Sequence, residues 1–328
     1  MLKEQVLNTI KKYNLISEND KIICGVSGGP DSICMLDILK DLTEKIRFEI
    51  IVCHVNHLIR EEAISDEEYV VNYCKKNKIK CYVKRIDVKK YANNNKQGTE
   101  EAGRTVRYKF FDDILEKENA NKIAIAHNKN DKIETIIMNM LRGSGVFGLR
   151  GIEPKRNNKY IRPLIEIQRA QIEEYCLENN LEPRIDKTNF INDCTRNKIR
   201  NIVIPYIKKE FNPNIINTID RLSSVIEEED KYLEKVTKES FDRLKIKEEK
   251  GLIILNLKEF NKQDRVIKKR LIIYTINKTI GNVQNIEKVN IDDIIKLCDK
   301  NIGNKYLMPN KNIKILVNKN QIFFEAKF

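Results

Sequence analysis

The 328-residue chain has no run of about 18 apolar residues, which excludes a transmembrane helix. It also lacks any C-x-x-C pair. Its eight cysteines stand at 24, 34, 53, 74, 81, 176, 194 and 298, so the usual zinc and iron–sulfur spacings are excluded. Cys24, Cys34 and Cys53 lie in apolar runs and read as small buried hydrophobes. The first segment, MLKEQVLNTIKKYNLISENDK, has no signal-peptide core and reads as an amphipathic helix, so a cytoplasmic location is expected. No Walker G-x-x-x-x-G-K-[ST], internal repeat or low-complexity linker occurs. Histidine is scarce, with three in the chain. Glycine is absent between Gly151 and Gly251, so that stretch is helical or extended without tight turns.

What remains is globular: 41% hydrophobic and 33% charged residues, at a length that suits two domains. The net charge of +13 favours an anionic partner, nucleic acid being the commonest. Its distribution is uneven: +6 over residues 1–200, −1 over 201–250 and +8 over 251–328.

Short apolar runs at Lys21–Val26, Phe48–Val55 and Lys122–Ala126, with a less clean one at Lys80–Ile86, predict buried parallel strands. Helical patterns at Ser32–Thr43, Glu62–Asn77, Glu100–Lys117 and Asp131–Leu141 fall between and after them. The expected fold is α/β, a parallel twisted sheet with helices on both faces, plus a smaller, mainly helical second domain. The boundaries expected are a first, α/β domain over 1–212, a connecting long helix over 213–250 and a basic domain over 251–328. In the last, a strand is expected at Gly251–Leu257, helices near Asp264–Thr279 and Ile291–Lys300, and an extended pair at Ile313–Val317 and Ile322–Glu325.

The strongest motif is Ser27-Gly28-Gly29-Pro30-Asp31-Ser32, directly after a strand and opening a helix. Such a turn aims unpaired backbone N–H groups at one point, a phosphate site favoured by the helix dipole. Asp31 would repel phosphate unless a cation intervenes, so it is a candidate Mg²⁺ ligand. All three histidines lie at strand ends: His54 and His57 in C-H-V-N-H-L-I-R, and His127 in A-H-N-K-N-D-K-I-E-T. If His127 begins a helix, Asp131 and Glu134 lie within roughly 60° of it on one face. That cluster binds a cation or does acid–base work, unless it is a solvated face balanced by Lys132. Arg104 and Arg107, with Glu101 and Tyr108, form either an ordinary Glu–Arg helix pairing or a phosphate-binding wall. Gly143–Gly148 matches G-x-G-x-x-G but follows a helix, so it reads as a flexible loop beside the active site.

S-G-G-x-D-S resembles the pyrophosphate loop of the ATP-pyrophosphatases. With H-V-N-H-L-I-R, E-E-A-G-R-T-V-R-Y, the His127 block, L-R-G-S-G-V-F-G-L-R-G, I-R-P-L and D-K-T-N…R-N-K-I-R, residues about 20–205 resemble the tRNA(Ile)-lysidine synthetase family. That resemblance implies ligation of free lysine to C2 of the wobble cytidine of a CAU-anticodon tRNA(Ile), through an adenylated cytidine, with ATP and Mg²⁺ consumed or required. It implies ATP contacts at Ser27, Gly28, Gly29, Pro30, Asp31, Ser32, His54 and Asn56, and catalytic roles for Asp31, Arg107, His127, Asp131 and Glu134. Candidate tRNA contacts are Arg104, Arg142, Arg162, Arg196 and Arg200, with Lys268, Lys269 and Arg270 on the basic tail. Asn130 and Lys132 depart from the family's paired aspartates followed by glutamine, which throws the acid–base burden onto Asp131. Many relatives carry a further C-terminal domain, whereas this chain ends at Phe328, soon after its second domain. The alternatives are a tRNA cytidine thiolase of the same superfamily, which typically needs paired cysteines, and a non-catalytic tRNA-binding protein on an ATP fold.

Overall fold

A computed structural model describes residues 2–58, 63–184, 191–300 and 305–327. Ile59 and Arg60 of the H-V-N-H-L-I-R block and the D-K-T-N segment at 186–189 lie outside the described residues. The chain divides into two compact units, Met1–Ser224 and Val225–Phe328. The division falls within one long helix, Ile215–Leu244.

The first unit is built on six strands: β1 (Lys21–Gly25), β2 (Glu49–Asn56), β3 (Lys80–Arg85), β4 (Lys122–Ile125), β5 (Lys155–Arg156) and β6 (Tyr160–Ile161). Their order is β3-β2-β1-β4-β6-β5, parallel except for β5. Ile22, Cys24 and Val26 pack on one face with the helices Pro30–Ile46, Ala63–Lys76 and Arg169–Glu178. Ile23 points the other way, against Phe110, Phe111 and Ile114 of the helix Thr99–Lys117. Both faces are buried, which is why these strands read as continuous apolar runs. The four strands and four helices expected in this half occur within about three residues of their expected ends. One local expectation fails. His127 does not begin a helix: the helix starts at Lys129, because Asn128 adopts an extended N-cap conformation and its side chain accepts from the Asp131 amide.

The second unit contains β7 (Lys245–Glu249), β8 (Leu252–Asn256), β9 (Lys305–Asn310), β10 (Ile313–Asn318) and β11 (Gln321–Ala326) in the antiparallel order β7-β8-β11-β10-β9. The helices Arg265–Ile280 and Lys288–Lys300 share its core, with Leu255, Phe260, Leu271, Ile294, Ile315 and Phe324 buried together. The three inner strands were legible. The outer two, β7 and β9, were not: β7 carries charge in place of alternation, and β9 holds Pro309 and keeps Tyr306 and Met308 exposed, as an edge strand can. The long helix expected to 250 therefore stops at Leu244, where the chain turns into β7.

The expected cationic stripe on this unit is largely neutralised. Lys268 pairs with Asp299 at 3.0 Å, Lys269 with Asp292 at 3.1 Å, and Arg270 with Asp230.

Candidate active site

The C-terminal ends of β1, β2 and β4 open on one cleft of about 510 Å³, where ligands bind in open parallel sheets. Its floor is the turn from Val26 to Asp31. Gly28 has φ +93°, a left-handed conformation that a β-carbon disfavours, and Gly29 caps the helix in an extended conformation with Pro30 at its first position. Ser32 Oγ accepts from the Ser27 and Gly28 amides at 3.2 Å each and donates to the Gly29 carbonyl at 2.9 Å. The hydroxyl thus shapes the loop from inside. The Gly28 carbonyl accepts from the Arg184 amide at 2.9 Å, which ties the loop to a distant segment.

Asp31 sits in the first turn of the helix and accepts from Asn128 Nδ2 at 2.9 Å. Burial, reinforced by the nearby Asp131, pushes its carboxyl up to about 6. Arg169 and Arg200 act the other way but do not offset burial and Asp131, so its charge is under-neutralised. That suits a carboxylate meant to meet a divalent cation carried in by phosphates. Among the described residues no group of three or more His, Cys, Asp and Glu could hold a metal.

His54 is 3% exposed, and its Nδ1 donates to the Val26 carbonyl at 2.9 Å, leaving Nε2 buried without a partner among the described residues. His57 Nδ1 is likewise unpartnered. Burial lowers both pKa values, that of His57 to about 4 with Arg107 and His54 adding to the effect. Asn56 lines the cleft while its side chain is engaged: Nδ2 donates to Glu67 at 2.9 Å and to the Ala63 carbonyl, pinning the next helix. It is 2% exposed.

On the far wall, His127 is pushed down to about 4, chiefly by burial, with Arg162, Arg196 and Arg104 assisting and Asp131 opposing. Asp131 closes a capping box, its Oδ2 accepting from the Asn128 amide at 3.0 Å, while Oδ1 accepts from Arg200 Nη2 at 3.0 Å. Glu134 is 1% exposed and does not reach the cleft. It is held by Arg196 Nε at 3.0 Å and by Arg200 Nε at 2.6 Å and Nη2 at 2.8 Å. Arg200 lies in a π-helical turn, Ile199–Val203, of the kind that marks functional positions. Arg104 stacks on Tyr108 at 5.1 Å, and with Arg107 both line the cleft.

The cleft therefore gathers Ser27, Gly29, Pro30, Asp31, Ser32, His54, Asn56, Arg104, Arg107, His127, Asp131 and Arg200. Some expectations are corrected. Arg162 is 4% exposed and cannot meet an RNA backbone; it lies behind His127. Arg196 and Arg200 turn inward onto Glu134 and Asp131 instead of outward to tRNA. Arg142 is exposed and outside the cleft, as is the Gly143–Gly148 loop, which forms a helical turn at Val146–Leu149. The sequence reading missed Asp66, Arg169 and Arg184 on the cleft wall. Arg169 left a trace: it opens a helix, where the dipole disfavours a cation. Asp66 and Arg184 left none.

A phosphate-cradling turn at the head of a parallel sheet, an under-neutralised acid at its helix start and a basic far wall define a PP-loop protein. A family model described as a PP-loop domain matches residues 2–207, and the chain belongs to that family. The fold, though only the fold, is shared with the U34-tRNA thiolase NcsA from Methanococcus maripaludis, at a TM-score of 0.56, 21% identity, and coverage of 69% of this chain and 78% of that one. More particularly, the chain is 46% identical to the tRNA(Ile)-lysidine synthase of Clostridium acetobutylicum over 98% of its length and 69% of that protein's. It is 45% identical to that of Clostridium tetani over 98% and 68%, and 30% identical to that of Geobacillus kaustophilus over 95% and 68%. The chain belongs to the tRNA(Ile)-lysidine synthase family.

Proposed function

We propose that the chain joins L-lysine to C2 of the wobble cytidine of tRNA(Ile) bearing a CAU anticodon, using ATP and releasing AMP and pyrophosphate. The observation that carries this is the convergence of the Ser27–Ser32 loop, Arg107, His127 and Asp131 on one cleft. The C2 oxygen is a poor leaving group. It attacks the α-phosphorus, the bond to the bridging oxygen breaks, and pyrophosphate departs into the loop. The lysine ε-amine then attacks C2, AMP leaves with the former O2, and the amine gives up a proton.

The Ser27–Ser32 turn holds the departing phosphates, and Arg107 and His127 stabilise charge at the α-phosphate. Lysine arrives mostly protonated at pH 7, so it needs a carboxylate that binds the ammonium and then accepts its proton. Asp131 faces the cleft and fills that role. Glu134, buried among two arginines, supports it from behind as a positioning residue. Mg²⁺ fits at Asp31, where it would neutralise phosphate charge. The reaction requires the compartment in which tRNA and ATP meet, the cytoplasm. No helix among the described residues is long and apolar enough to cross a membrane. The basic excess of residues 251–328 is proposed to carry the tRNA body through surface lysines other than the paired Lys268 and Lys269. A sulfur-transfer reading is not favoured, since among the described residues no cysteine cluster suits iron–sulfur binding.

Labelled lysine incubated with the protein, ATP, Mg²⁺ and tRNA(Ile) transcripts should enter the transcript with C at the wobble position and not the one with U. Label in neither, with the protein folded, overturns the proposal. Asp131→Asn should retain ATP binding while losing about 100-fold or more in lysine incorporation; unchanged incorporation would remove Asp131 from its role.

A further inference from the structure

We propose that Arg162 is a positioning residue that locks His127 as the neutral Nε2–H tautomer, so that His127 serves the reaction as a fixed hydrogen-bond donor and not as a general acid or base. This rests on the lysine-ligating reading above and specifies how its far wall works.

Arg162 Nε lies 3.1 Å from His127 Nδ1. A guanidinium has donors and no acceptor, so the hydrogen bond has one direction, and Nδ1 must offer its lone pair. A neutral imidazole carries one proton, which Nε2 must then hold. Arg162 itself is anchored: it is 4% exposed, and its Nη1 donates to the Glu153 carbonyl at 2.5 Å. Arg162 is not on the cleft wall and His127 is, so Nε2–H is the nitrogen presented to the substrate.

The charges around the ring make the same choice. Asp131 attracts a proton to His127, while Arg162, Arg196 and Arg104 oppose it from three other segments. Protonation would place a second cation against a buried guanidinium. A neutral N–H can stabilise charge growing on a phosphate oxygen without being consumed or titrated. His54 provides an internal contrast, because its Nδ1 faces the Val26 carbonyl and must carry the proton. The two rings are therefore fixed as opposite tautomers.

With three histidines in the chain, ¹⁵N-labelled imidazole spectra of the full protein read this directly, His127→Ala providing the assignment. In the wild type His127 should show a protonated Nε2 and a bare Nδ1 at neutral pH, and His54 the reverse. Finding Nδ1–H on His127 overturns the proposal without any variant. Arg162→Gln keeps a donor but removes the charge, so the tautomer should persist while ring protonation moves to higher pH. Arg162→Met should lose both, lower kcat roughly 10- to 100-fold with the KM for ATP little changed, and move the acid limb of the kcat–pH profile to higher pH. Arg162→Met with wild-type kcat and pH profile sinks the inference. Absence of lysine incorporation by the wild type would instead sink the reaction on which it rests.

Discussion

Glu134→Ala should destabilise the first unit by about 3 kcal/mol, read as a lowered midpoint of chemical denaturation, and should lower lysine incorporation with it. The carboxylate is 1% exposed and saturated by three guanidinium hydrogen bonds of 2.6–3.0 Å. Removing it strands two arginines against each other. Breaking a fully buried pair costs about 3–5 kcal/mol, and the lower end applies because the Arg196 and Arg200 side chains keep 29% and 23% exposure and can partly rehydrate. Arg200 also loses the partner that aims Nη2 at Asp131, so the acid on the cleft wall loses its orientation. Glu134→Gln preserves shape and one acceptor and should cost less. A Glu134→Ala protein as stable as the wild type would show that the cluster contributes little to the fold.

Asp31→Asn should act in the opposite direction on stability while abolishing pyrophosphate release. The carboxyl titrates near 6 in the folded protein against 3.8 when free. The folded state therefore binds this proton more tightly than the unfolded state. Stability from this group is fully present below about pH 4, falls as pH rises between 4 and 6, and is lost above 6. In metal-free buffer at pH 7.5 the asparagine variant should thus be more stable than the wild type by up to about 3 kcal/mol, and the advantage should vanish near pH 4. Asparagine still accepts from Asn128 Nδ2, so no hydrogen bond is forfeited. Equal or lower stability of the variant at pH 7.5 would contradict the picture of an uncompensated charge held ready for a cation. Such a trade of stability for function is expected where a site must meet the opposite charge of a ligand.

The arrangement of the far wall explains why the His127 block resisted a purely local reading. Helical spacing from His127 to Asp131 and Glu134 brought the right residues into view for a partly wrong reason. His127 lies before the helix, Asp131 is drawn into a capping box, and Glu134 looks away from the cleft into its own pair of arginines. In the second unit the buried strands β8, β10 and β11 were readable, while the edge strand β7 was hidden by charge and β9 by its proline and its exposed Tyr306 and Met308.

The sequence by itself determined the alternation of buried strands and helices, the phosphate-binding turn at Ser27–Ser32 and the presence of His127, Asp131 and Arg107 at the substrate edge of the sheet. These follow from local periodicity and backbone chemistry, which neighbouring residues express on their own. Tertiary structure alone decided which arginines line the cleft and which pair with buried groups. Arg162, Arg196 and Arg200 lie 35 to 69 positions from His127, Glu134 and Asp131, the side chains they contact, and side-chain charge carries no mark of its partner until packing removes the water between them. The same holds for the tautomer of His127, which depends on which atom of a distant residue reaches the ring.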